Sequence, residues 1–190
     1  MTVLEVVPAP DGGSYLLADG VVQSHVDLEH PTRIAIPYVR DLADLVDALP
    51  PGPANVLHLG GAGCTLARYT AATRPGSHNV VVDSDKRLPR LLARHLPIPP
   101  DTLELHTLPA QTYLRRTRTV FDLIVIDLFT GPTPVPIDLE LAASRLTRTG
   151  LLAHHLYAPH TGHTIAVTPA PRGQAGPPLA GAAAGEAERT

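Results

Sequence analysis

An α/β fold on a parallel sheet, preceded by a small antiparallel β unit, follows from three features of this 190-residue chain. A short apolar run, Val56 to Leu59, breaks into Gly60, Gly61 and Gly63 and passes at once into helically spaced Leu66, Ala67 and Tyr69, the order strand, glycine turn, helix. Strand-like and helix-like segments then alternate as far as Tyr157, and short right-handed crossovers make a parallel sheet the natural solution. Finally, Phe-Asp-Leu-Ile-Val-Ile-Asp at Phe121 to Asp127 is the near-continuous apolar run of a strand buried on both faces.

Leu4 to Val7 and Tyr15 to Ala18 read as short strands joined across Pro8 to Gly13, and Val21 to Val26 follows the turn at Asp19-Gly20, so a hairpin unit is expected over residues 1–30. Tyr38, Val39, Leu42, Leu45, Val46 and Leu49 fall at helical spacing, with Arg40, Asp41, Asp44 and Asp47 opposite. This predicts an amphipathic helix stopped by Pro50-Pro51-Gly52-Pro53. Beyond the glycine turn, Val80 to Val82 is a second strand ending in Asp83. Leu88, Leu91, Leu92 and Leu96 mark a helix that tolerates Pro89 only in its first turn. Leu103 to Leu105 is a brief strand and Gln111 to Arg116 a short helix. After the strand ending at Asp127, Leu139, Leu141, Ala142 and Leu146 suggest a helix closed by Gly150, with Leu151 to Tyr157 a further strand and Thr164 to Val167 a short last one. The α/β domain is expected over 36–167, and 168–190, rich in Pro, Ala and Gly without periodicity, as a disordered tail.

Composition narrows the function classes. With 44% apolar and 17% charged residues and a net charge of -3, the chain has a globular protein's make-up and no basic stripe for nucleic acid or membrane. No apolar run reaches the roughly 20 residues of a membrane span and no secretory leader is visible, so a cytoplasmic location is expected. The single cysteine, Cys64, excludes an intrachain disulfide or a Cys-based zinc site and reads as a buried filler or a thiol beside a helix start. His154, His155, His160 and His163 lie close in sequence, but adjacent strand residues point to opposite faces, and no metal site is assigned.

Ligands of open parallel sheets lie outside the carboxyl ends of the strands, near the reversal of strand order. Those ends carry Gly60, Gly61, Asp83 and Asp127, which therefore converge on one crevice. The glycines allow positive φ and bring peptide N–H groups at a helix start towards a ligand. Asp83, roughly 20 residues on, stands where a nucleotide fold places the acid that holds ribose hydroxyls, so a nucleoside-type ligand is expected. Capping the following helix is the alternative role of Asp83 and, more so, of Asp85, and capping the turn at Thr130-Gly131 that of Asp127.

Asp19-Gly20-Val21-Val22-Gln23-Ser24 followed by Glu29, then Val56-Leu57-His58-Leu59-Gly60-Gly61-Ala62-Gly63, Val82-Asp83-Ser84-Asp85 and Ile126-Asp127-Leu128-Phe129-Thr130-Gly131 resembles the spermidine synthase family, in the manner of its short actinobacterial-type members. The resemblance covers about Tyr15 to Tyr157. Its most specific part is the Asp-Gly-x-x-Gln-Ser hairpin, which ordinary methyltransferases of the same sheet fold lack. It implies a Rossmann-like sheet of the S-adenosylmethionine-dependent methyltransferase type, with the family's last two strands truncated. It implies no tightly bound cofactor, but decarboxylated S-adenosylmethionine or S-adenosylmethionine as co-substrate, and aminopropyl transfer to putrescine or another small amine. In that frame Gly60, Gly61, Gly63, Asp83 and Gln23 form the adenosyl-nucleotide site, Asp83 holding the ribose and Gln23 touching donor or acceptor, and Asp127 positions or deprotonates the attacking amine. The chain departs from the family at Thr32-Arg33-Ile34, where the family carries Tyr-His or Tyr-Gln then Glu, at Pro109 or Ala110, where the family carries the acid near the adenine, and at Thr130, where the family carries a second acid after the fourth strand. Fewer carboxylates are left for a diamine. An S-adenosylmethionine-dependent methyltransferase and a catalytically silent binding or partner subunit are the alternatives. A sheet ending near Tyr157 leaves an unblunted apolar edge, so a homodimer is expected.

Overall fold

The computed structural model describes residues 2–130 and 133–171. The tail expected over 168–190 therefore lies, past position 171, outside the described residues, as does Gly131. A three-stranded antiparallel sheet opens the chain: β1 (Leu4–Pro8), β2 (Ser14–Ala18) and β3 (Val21–Val26), paired in that order. The Asp19-Gly20 turn between β2 and β3 takes φ of 49° and 77°, the left-handed pair that matches the twist of a two-residue hairpin.

Helix α1 (Pro37–Asp47) starts on a proline at its first position, where the missing N–H costs nothing, and buries Val39, Leu42, Ala43 and Val46. Next come β4 (Asn55–Leu59), α2 (Thr65–Thr73), β5 (His78–Asp83), α3 (Leu88–His95), β6 (Glu104–Thr107), α4 (Ala110–Arg116) and β7 (Phe121–Ile126). Pro89 falls in the first turn of α3, as its tolerance requires. Two short pairing segments, β8 (Phe129–Thr130) and β9 (Thr133–Pro134), precede α5 (Leu139–Ala143), and β10 (Leu146–Ala158) and β11 (Gly162–Pro169) end the described chain.

The main sheet is six-stranded in the order β11-β10-β7-β4-β5-β6. The strands from β10 to β6 run parallel and β11 returns antiparallel to β10. The expected parallel α/β sheet with its N-terminal β unit is thus present, widened by a terminal hairpin in which β11 reaches Pro169. From β4 the chain winds one way through β5 and β6, and from β7 the other way through β10, so strand order reverses between β4 and β7. Alternate residues of the central strands feed two layers. Leu57, Leu59, Val80, Val82, Ile124 and Ile126 pack with Ala110 and Leu114 of α4, while Val56, Leu123, Val125 and Ala153 pack with α1. Each fully buried Val, Leu or Ile side chain among them contributes about 1.5–3 kcal/mol. Burial on both faces is why β4, β5 and β7 read as continuous apolar runs.

The helix expected from Leu139 to Gly150 is cut short. Asp138 caps α5, its Oδ1 accepting from Leu141 N at 2.9 Å, but after Ala143 the backbone turns extended and Leu146 pairs beside Phe121 in β7. Thr147 and Thr149 are β-branched and suit a strand. At Gly150 an added Cβ would meet the Phe121 carbonyl oxygen at 2.8 Å, so the register shift between Leu146 and Leu151 needs the missing side chain. Among the described residues no helix is long and apolar enough to cross a membrane.

Candidate functional site

The glycine turn closes tightly on its neighbours. Gly60 has φ of +98° and donates its N–H to Val82 O at 2.8 Å, while Asp127 N donates to Leu59 O at 2.8 Å. A Cβ at Gly60 would overlap the carbonyl oxygen of Asp127. Both the backbone angle and the close approach of β7 therefore demand glycine at this point of strand-order reversal.

Asp83 is bound to the same turn. Its Oδ2 accepts from Gly61 N at 2.9 Å and Ala62 N at 3.3 Å, and its Oδ1 from Asp85 N at 2.8 Å. The cap expected of Asp83 is thus partly realised towards Asp85, and Asp85 in turn accepts from Arg87 N at 2.9 Å. A carboxylate offers about four acceptor positions, so Asp83 keeps little free capacity and the peptide N–H groups expected to face a ligand are already partnered. Gly63 is held from the other side: its N–H donates to Ser24 Oγ at 2.9 Å, and a Cβ there would meet Val26 Cγ2 at 2.6 Å and Ser24 Cβ at 2.8 Å. Thr65 Oγ1 donates to His25 O at 2.7 Å, so the Gln-Ser hairpin docks on the glycine loop through Ser24 and His25. Gln23 itself donates to Val21 O at 3.2 Å within its own strand. Cys64 is 3% exposed at the start of α2, and burial pushes its thiol up to about 12. That is the buried filler, not a reactive thiolate.

Asp127 follows the last residue of β7 and is 27% exposed. Its carboxylate does not cap the Thr130 turn among the described residues. Oδ2 accepts from the Tyr38 hydroxyl at 3.1 Å, and Oδ1 lies 2.7 Å from His155 Nδ1. His155, only 3% exposed, places its Nε2 2.8 Å from His163 Nδ1. The Tyr38 ring stacks on both imidazoles, at centroid distances of 3.9 and 4.9 Å, with Phe129 at 5.0 Å from His155 and Tyr157 at 5.0 Å from His163. Burial, reinforced by the Asp127 charge, raises the Tyr38 phenol above its ordinary value, so it stays a donor. Among the described residues no group of His, Cys, Asp and Glu has the geometry of a metal site.

In the sequence Tyr38 reads only as part of a helix's apolar face, and His155 and His163 only as members of a histidine cluster assigned to no metal. The available signal was register: His154 pairs with Ile126, so His155 stands beside Asp127 one strand over. A separate cleft of about 470 Å³ lies between α2 and the loop after α3, lined by Leu28, Ala71, Ala72 and Ile98. The Arg68 guanidinium in its wall is spent on the carbonyls of Gly63, Pro97 and Leu96, leaving an apolar recess away from the strand ends.

No protein-family model and no curated protein matches the chain by sequence. Solved structures do match by fold. A probable spermidine synthase from Corynebacterium glutamicum is 27% identical with a TM-score of 0.69, over 81% of this chain and 60% of that one. A spermidine synthase in complex with the transition state analogue AdoDATO is 20% identical with a TM-score of 0.62, over 84% of this chain and 56% of that one. Human methyltransferase-like protein 13 in complex with SAH is 19% identical with a TM-score of 0.57, over 66% of this chain and 67% of that one. The motif resemblance to spermidine synthases is therefore also a likeness of structure, within the methyltransferase-type fold. The chain spans about 60% of the length of the Corynebacterium protein.

Proposed function

We propose that this protein binds an S-adenosyl nucleotide across the Gly60 turn and the end of β5, and transfers an aminopropyl group from decarboxylated S-adenosylmethionine to putrescine or another amine. The observation that carries the reading is the carboxylate of Asp127 at the point of strand-order reversal, its backbone carbonyl against Gly60 and Asp83 on the strand beyond. Adenosyl-type ligands in two of the similar structures support the nucleotide.

The chemistry asks little more of the chain. An alkylammonium has no lone pair, so a carboxylate must orient it and take one proton; the freed nitrogen then attacks the sulfonium-bound CH2, the C–S bond breaks and the thioether leaves with the electron pair. Asp127 is assigned that role. Asp83 meets the ribose with its remaining acceptor capacity, and Gln23 reaches donor or acceptor by turning away from Val21. A homodimer through the outer strand β11 belongs to the same reading, and sedimentation at micromolar concentration tests it.

Calorimetric titration with 5′-methylthioadenosine, followed by turnover of decarboxylated and ordinary S-adenosylmethionine with putrescine and with n-butylamine, tests the function. Binding of the thioether and aminopropyl transfer from the decarboxylated donor support it. Methyl transfer from ordinary S-adenosylmethionine assigns the methyltransferase reading instead, and binding without turnover a silent homologue.

A further inference from the structure

The contacts around Asp127 can be satisfied in two ways without moving an atom other than hydrogen. A neutral imidazole carries one ring proton and an ionised carboxylate only accepts. With Asp127 ionised and both rings neutral, His155 donates from Nδ1 to Asp127, and His163 donates from Nδ1 to the bare Nε2 of His155. If one proton is added, His155 becomes an imidazolium that donates from both nitrogens, and His163 changes tautomer to accept at Nδ1. The 2.7 and 2.8 Å separations suit both states. A second proton fits neither, since it would set two N–H groups against each other across the 2.8 Å contact.

We infer that His155 and His163 together bind a single shared proton that sets the charge presented by Asp127, so that this proton and a cationic ligand compete for the same carboxylate. Without the proton, Asp127 and the two rings carry one negative charge; with it they carry none. The titratable groups against the pair are Tyr38 from α1, Asp127 from the end of β7, and His154 and Tyr157 from β10. Tyr38 is held as a neutral phenol. Burial lowers His163, and a charge on His155 lowers it further, as a one-proton pair requires. His155 is buried by the Tyr38 ring and by Phe129, so bulk water offers no substitute partner for its Nε2. That the competing cation is an amine rests on the functional reading above, whereas the shared proton does not.

Two measurements on the full chain separate the claims. In an NMR titration of the imidazole C2–H signals between pH 5 and 9, the two rings are expected to take up one proton together, seen as a common midpoint in both. Two independent midpoints, or two protons taken up, would overturn the pair. In calorimetry with n-butylamine, the 5′-methylthioadenosine complex is expected to bind about tenfold more tightly at pH 8 than at pH 6, with proton release at the lower pH. His155→Asn, whose amide nitrogen takes the place of Nδ1 and still donates to Asp127, and His163→Leu, which leaves a protonated His155 Nε2 without an acceptor, should each reduce that ratio to about twofold, and an unchanged ratio in both would overturn the pair. Equal butylamine affinity at both pH values in the parent overturns the competition and leaves the functional reading standing. A common midpoint with no butylamine binding at either pH has the opposite meaning: the pair stands and the amine reading fails.

Discussion

On the Gly60 side of the strand ends, one carboxylate gathers backbone N–H groups from a turn 22 positions away, and glycine is required because side-chain atoms of Val26, Ser24 and Val81 occupy the space a Cβ would take. On the Asp127 side, the carboxylate meets side chains only, Tyr38 from 89 positions earlier and His155 from 28 positions later. The first arrangement follows from chain geometry and has little freedom to adapt. The second is a set of titratable and rotatable groups whose hydrogens can be rearranged. Under the function proposed above, the rigid side is the one assigned to the nucleotide and the rearrangeable side the one assigned to the acceptor.

The sharpest way to break this contrast is Gly60→Ala, which loads both sides at once. It forces a Cβ residue to φ of +98° against the Asp127 carbonyl, and a loss of about 3–5 kcal/mol is expected. Urea unfolding of the purified variant measures it; a loss below about 1 kcal/mol would mean that the turn gives way easily and that the Gly60 side is not rigid.

The rigid side should also show in its response to acid. His58 in β4 is buried with Asn79 Oδ1 at 3.2 Å, and burial pulls its imidazole from the usual 6.5 down to about 4. Between those values the unfolded chain binds the extra proton and the folded chain does not, so stability is lost as pH falls from about 6.5 towards 4. At pH 4.5 this amounts to about 2–3 kcal/mol. The difference between parent and His58→Gln urea curves at pH 7.5 and 4.5 isolates it, and parallel curves would refute the assignment.

Asp83→Ala strands the N–H groups of Gly61, Ala62 and Asp85, with an expected loss of about 1–3 kcal/mol in stability. If the carboxylate also meets the ribose, 5′-methylthioadenosine affinity of the folded variant falls by a similar amount. A stability loss with unchanged affinity confines Asp83 to holding the loop. The smallest effect should come from Tyr38→Phe, which keeps the stack on His155 and His163 but removes the donor to Asp127. About 0.5–1.5 kcal/mol is expected in chemical denaturation. A clearly larger loss would place the Asp127 side among the rigid parts of the molecule and erase the contrast.

Much of the fold was legible because it rests on local rules. Val56 to Gly63, Val80 to Asp83 and Phe121 to Asp127 carry their own strand and turn chemistry, and Pro50 and Pro89 mark helix boundaries wherever the chain goes. The likeness to spermidine synthases was readable for the same reason, since the Asp19 to Ser24 hairpin and the glycine turn are contiguous motifs. The misread segment, Leu139 to Gly150, has apolar spacing that fits a helix, but pairing with Phe121 overrides it from Leu146 onward, and only the neighbouring strand supplies that partner.

The sequence by itself determined that a glycine turn and two acids stand at strand ends, because strand alternation and Gly φ are properties of short stretches. Which groups those acids meet was decided by tertiary structure. Asp83 turned to the loop's own N–H groups because Gly61 and Gly63 bring that backbone within 2.9 Å of Asp83 and Ser24. Asp127 met Tyr38 and His155, and through His155 the ring of His163, because α1 packs over β7 and because the β10–β11 register sets His155 against Ile165 and Tyr157 against His163. Such contacts depend on register and crossing between elements far apart in the chain, and a single sequence carries no periodicity that records them.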